Sequence, residues 1–277
     1  PAPRRAAADG CVVVVADAAS PRLVGLSPDG ALAWECPGVS CVDLQALPNG
    51  NVLAAANDAG DKAGRLIEVD GHGRIVWEHR FSSPVAACQR LADGHTLVAL
   101  TTPPRTVEIA PGGTVLQETV LPAGAGGSAA IGGVRRTPRG TYLCAFSTER
   151  CVREVDAGGQ ILRELRLPHP PNAVIQLRQG NLLVASDHGL FEYAEDDRVV
   201  WHLYEDNIPV LRLRQLAGIT EVENGSILVC NRVDVRQEVS GAVVMEIARN
   251  RQPAWMLTEA SGIHAAAAAV LLPVSRP

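Results

Sequence analysis

The chain has 277 residues, with 30 acidic against 25 basic side chains and a formal net charge of −5. That length buries enough surface to fold without a metal or disulfide staple, and a hydrophobic content of 47% excludes a disordered chain. The mild acidity leaves no basic footprint for nucleic acid or anionic lipid, and the longest apolar run, 263–274, is too short and too Ala-rich to span a bilayer.

In chain order, the first strand-like segment is CVVVVAD at 11–17, just after a turn ending in Gly10. Its phrase, turn residues, Gly and an apolar run, then returns five times. The copies are LPNGNVLAA (47–55), LADGHTLVA (91–99), TPRGTYLCA (137–145), LRQGNLLVA (177–185) and VENGSILVC (222–230). The marker glycines Gly10, Gly50, Gly94, Gly140, Gly180 and Gly225 are spaced by 40, 44, 46, 40 and 45 residues. Gly and its polar neighbour supply the positive φ that a tight hairpin needs, and the β-branched flanks read as strands.

A second turn follows in each unit, as PDG (28–30), GHG (71–73), PGG (111–113), AGG (157–159), EDD (195–197) and RNR (249–251). Four residues beyond each stand Trp34, Trp77, Gln117, Arg163, Trp201 and Trp255, so all four tryptophans share one repeat position. That sharing points to filling between units and not to a ligand cage. The carboxylates Glu68, Glu108, Glu154, Glu192 and Glu246 are locked to the repeat in the same way, which suits a structural cap.

Each unit therefore reads as four antiparallel strands in 40–46 residues, the size of a β-propeller blade. The fold expected is all-β, a single six-bladed propeller over 1–277. Its blades fall at about 39–81, 83–120, 129–167, 169–205 and 214–258, with one composite blade from 264–272 plus 11–37. The first unit lacks its first strand, and HAAAAAVLLP (264–273) supplies it, closing the ring and removing two sheet edges. Ala265–Ala269 favours helix by propensity, but the repeat register overrules this. Small residues at mid-strand, such as Gly132, Gly133, Ala217 and Gly218, let six inner strands crowd around one axis.

The seven cysteines show no zinc spacing. Most read as small buried hydrophobes, with a local Cys36–Cys41 bridge left open. Lys62 is the only lysine among 25 basic residues, an imprint of a GC-rich genome. The compartment is open, with the periplasm or the cell exterior favoured.

The phrases LPNGNVLAAANDAGDKAGRLIEVDGHGRIVWEH (47–79) and LRQGNLLVASDHGLFEYAEDDRVVWHL (177–203) resemble the repeats of bacterial PQQ-like and arylsulfotransferase-like β-propellers. The resemblance covers nearly the whole chain and implies the fold; it is a blade pattern and carries no catalytic motif. In arylsulfotransferases of this shape a histidine acts at the channel, whereas His169 and His264 here stand outside that motif. Gluconolactonase-type propellers hold calcium with Glu, Asn and Asp, for which Glu221, Asn172 and Asp43 are the loose counterparts.

The candidate site is the channel mouth, rimmed by residues seven past each marker Gly and by the links between blades. It gathers Asp17, Asn57, His169, Asp187, His188, Asn231 and His264, with the pairs His169–Asp187 and His264–Asp17 suited to general-base or ligand chemistry. The neighbouring carboxylates are expected to favour charged imidazoles. The function expected is a ligand-binding or protein-interaction scaffold, with a channel-mouth enzyme of arylsulfotransferase-like or lactonase-like type as the alternative. The cofactor is left open. No metal site, nucleic-acid partner or membrane span is expected. The partner is a small molecule or protein at the mouth, and the chain is expected to be a monomer.

Overall fold

The computed structural model describes residues 11–27, 30–58, 60, 62–122, 130–204, 207, 213–232, 242–258 and 262–273. Gly10, part of the PDG turn and the run 123–129 lie outside the described residues.

Twenty-four strands form six four-stranded antiparallel sheets, the blades of a six-bladed β-propeller. Blade 1 holds β1 (Cys11–Asp17), β2 (Arg22–Leu26) and β3 (Leu32–Pro37). Blade 2 runs β4 (Ser40–Ala46), β5 (Val52–Asn57), β6 (Gly64–Val69) and β7 (Ile75–Phe81). Blade 3 runs β8 (Val85–Arg90), β9 (Thr96–Thr101), β10 (Pro104–Ile109) and β11 (Val115–Val120). Blade 4 runs β12 (Ile131–Arg136), β13 (Tyr142–Phe146), β14 (Cys151–Val155) and β15 (Ile161–Arg166). Blade 5 runs β16 (Pro171–Gln176), β17 (Leu182–Ser186), β18 (Gly189–Tyr193) and β19 (Val199–Tyr204). Blade 6 runs β20 (Gln215–Glu221), β21 (Ile227–Arg232), β22 (Ala242–Ile247) and β23 (Pro253–Thr258). The last strand, β24 (Ala266–Pro273), is the inner strand of blade 1 and pairs with β1 from Cys11↔Pro273 to Asp17↔Ala266. Among the described residues there is no α-helix. The alanines of β24 extend because their small side chains fit the crowded axis, where Ala266–Ala269 are buried.

The hairpins follow from single positions. Leu47 N–H donates to Asn51 O at 2.9 Å and Gly50 N–H to Leu47 O at 3.0 Å, with Gly50 at φ +84°. In the second hairpin the same left-handed place falls to Gly in blades 1–4, but to Asp197 (φ 64°) and Arg251 (φ 67°) in blades 5 and 6. A side chain there costs roughly 1–2 kcal/mol.

The repeat-locked glutamates tie the first hairpin to the third strand. Glu68 accepts from Asn49 and Asn51, Glu154 from the Thr141 hydroxyl, Glu192 from Gln179 and Asn181, and Glu246 from Asn224. The tryptophan position joins neighbouring blades. Trp201 Nε1 donates to Arg249 O at 2.9 Å across the blade 5–6 boundary, and Trp34 of blade 1 lies against Gly73 of blade 2. Where Trp is absent, Gln117 and Arg163 donate instead to the backbone of the next blade, at Ala157 O and Ala194 O.

The apolar core is divided into six clusters, each packed between two adjacent blades. The six described thiols are free and buried, so Cys36 and Cys41 do not bridge. Burial pushes the thiols of Cys41, Cys144 and Cys230 well above their ordinary range.

Candidate functional site

Every inner strand carries one extra residue against its partner. The unpaired residues are Val42, Ala86, Gly132, Asn172, Gly218 and Ala267. Such bulges bend a strand and re-aim its side chain. All six face a central cavity of about 290 Å³ on the propeller axis. Two of them must be glycine for the inner strands to approach: a Cβ at Gly132 would stand 2.6 Å from Asn172 O, and one at Gly218 would stand 2.7 Å from Ala268 Cα.

The cavity lining contains an ion pair between a buried carboxylate and a half-buried guanidinium. Arg135 of blade 4 reaches across to Asp43 of blade 2 in a bidentate pair, with N···O distances of 2.7 and 2.8 Å. Asp43 also accepts the backbone N–H of Cys88 from blade 3 at 2.9 Å and that of Leu44 at 3.1 Å. One carboxylate thus ties three consecutive blades. Burial opposes the Arg135 charge, but Asp43 outweighs it and holds the guanidinium above its ordinary value. Sequence reading reached Asp43 only as a loose calcium counterpart and missed Arg135. The available signal was Asp43 itself, a carboxylate where the equivalent strands carry Ala87, Gly133 and Ala173; Arg135 shares its position with Gln45, Gln89 and Ile175 and does not stand out.

Of the expected mouth residues, Asn57 lines the cavity. Its amide clamps blade 2 to blade 3, exchanging two hydrogen bonds with the Val85 backbone at 2.8 and 3.0 Å. Asp17 is buried, pairs with Arg22 at 3.2 Å and accepts from Ala19 and Ala265 N–H, so it holds the ring closure. His264 is exposed beside that junction, outside the cavity lining. Asn231 is fully buried, accepting from Arg214 N–H at 2.8 Å and donating to Ala242 O at 2.9 Å. Asp187 is exposed and reaches the cavity only through Asn172, whose amide donates to it at 2.8 Å and to Leu216 O at 2.9 Å. Glu221 accepts from Arg178 N–H at 2.8 Å and is not part of the lining.

His169 and His188 do come together, with ring centroids 4.1 Å apart. The expected charging of His169 is reversed, however. Burial, then His188 and Arg150, lower its pKa, and the opposing pull of Asp187 is the smallest influence. The exposed carboxylate is screened by water, whereas the loss of solvation acts on the ring directly.

Away from the axis, Asp93, His95 and Glu108 bring ligating atoms within 4.8 Å of one another. His95 Nδ1 lies 3.1 Å from Glu108, whose other oxygen receives Arg136 at 3.1 Å. This is the hairpin tie seen in the other blades, with a cation already supplied by Arg136.

No family model matches the chain, and no curated protein matches it. Among solved structures it is similar to a protein of unknown function from Bacteroides caccae, 21% identical, with a TM-score of 0.82 over 95% of this chain and 99% of that one. It is similar also to a catalytically inactive virginiamycin B lyase from Staphylococcus aureus with quinupristin, at 13% identity and a TM-score of 0.56, covering 86% and 71% of the two chains. A chain of a nidogen/laminin complex gives 11% identity and a TM-score of 0.68 over 96% and 100%. At these identities the likeness is one of fold.

Proposed function

We propose that this chain is a ligand-binding propeller whose site is the axial cavity. The observation that carries this is convergence: six bulges open a cavity of about 290 Å³, and the Asp43–Arg135 pair lines it. A concave site with few polar groups among small apolar ones is the usual form of a small-molecule pocket. The blade phrases support placing the chain with the bacterial PQQ-like and arylsulfotransferase-like propellers. Asp43 already accepts from Arg135, Leu44 and Cys88, which supports a structural role for it and a binding role for the cavity around it.

The test is a thermal-shift screen with small acids, amines and neutral alcohols on the full chain and on Ala86→Phe, which fills the cavity from one bulge. At least one compound is expected to raise the Tm of the parent and to lose that effect in the filled variant. Shifts of equal size in both proteins would place binding elsewhere.

A further inference from the structure

Among the described residues, three charged side chains line the cavity: Asp43, Arg135 and Arg232. The first two neutralise each other through two hydrogen bonds of 2.7 and 2.8 Å. Arg232 is left over, so the described lining carries one positive charge in excess within a chain of net charge −5.

Among the described residues, three arginines have a buried Nε–H with no acceptor: Arg65, Arg90 and Arg232. Arg65 pairs with Glu78 and Arg90 with Glu68, each at 3.5 Å. Arg232 has no carboxylate partner among the described residues, and of the three it alone lines the channel. Its direction follows from strand alternation. Asn231, fully buried, is fixed by Arg214 N–H and Ala242 O, so the next side chain of β21 turns to the opposite face. A partly buried guanidinium without a counter-charge is costly and calls for a planar anion.

We propose that the cavity ligand is a small monocarboxylate with an apolar body, its carboxylate received by Arg232. This rests on the axial cavity being the site. One excess positive charge matches one carboxylate. Elsewhere the lining includes Val42, Ala86, Ile131 and Ala173, which suit a short aliphatic chain, and its second cation, Arg135, is already taken by Asp43. At about 30 Å³ per water-sized group, the cavity holds on the order of ten non-hydrogen atoms. An inorganic dianion would bring a surplus charge and leave the apolar wall uncovered.

The experiment is calorimetric titration of the full chain with hexanoate, hexanamide, hexylamine and inorganic phosphate. Hexanoate is expected to bind at least about tenfold more tightly than hexanamide, since a charge-assisted contact is lost in the amide. Arg232→Gln should remove that preference without lowering the Tm of the unliganded protein, and Arg232→Lys should restore part of it. Equal binding of hexanoate and hexanamide, or a preference unaltered in Arg232→Gln, overturns the carboxylate assignment. If Ala86→Phe still abolishes that binding, the cavity remains the site. Preferential binding of phosphate or hexylamine overturns the assignment as well. No binding by any of the four probes overturns the cavity reading itself.

Discussion

Between His169 and His188 the ring centroids are 4.1 Å apart, and Arg150 adds a further positive field. Burial and these neighbours hold the His169 pKa below its ordinary value of about 6.5. The folded state therefore binds fewer protons here than the unfolded state does. The associated stability is complete above the unfolded value and is lost as the pH falls through the folded one. An NMR titration should place the His169 midpoint below that of a free imidazole, and His188→Gln should raise it. A midpoint above the free value would show that Asp187 dominates after all. The sequence made the His–Asp proximity legible but not its balance, because that depends on how far each group is removed from water.

The inner strands depend on glycine at two bulges. Gly218→Val would drive a side chain into Ala268, whose Cα lies 2.7 Å from the would-be Cβ. A cost of about 1–3 kcal/mol is expected, as for other overpacked sites. In thermal unfolding this is a drop of several degrees, while Gly112→Ala, with nothing within 4 Å of its Cβ, should leave Tm nearly unchanged. Equal effects of the two substitutions would mean that the strands near the axis relax freely. The small residues at mid-strand were readable from the repeat as a crowded axis. The bulges were not, because an extra residue is defined only against its partner strand and all six copies share it. The Asp43–Arg135 pair was hidden for a different reason: its members stand 92 residues apart and occupy different positions of the repeat.

The whole ring depends on one pairing that spans the chain. Removing residues 262–277 deletes β24 and exposes the flank of β1, together with the faces of blades 6 and 2 that pack on it. The truncated protein should aggregate or unfold cooperatively, as followed by light scattering and circular dichroism. A soluble product with unchanged Tm would show that β24 does not hold the ring. Fold and closure were legible because strand number, hairpin chemistry and the missing first strand all gave the same count. The seams between blades were legible in part, since the tryptophans marked them while Gln117 and Arg163 in the same place did not.

The junction of β1 with β24 also fixes an order of events. On a ribosome, β1 to β3 emerge before the propeller's other strands, yet the strand that completes their sheet follows all of them. Blades 2 to 6 hold all four of their strands in consecutive sequence and can form as they appear. Blade 1 cannot. Throughout synthesis it presents an unpaired, Val-rich edge, and the axial cavity has no sixth wall. Ring closure, and with it any capacity to hold a ligand, arrives in a single late step with the longest loop in the molecule to close.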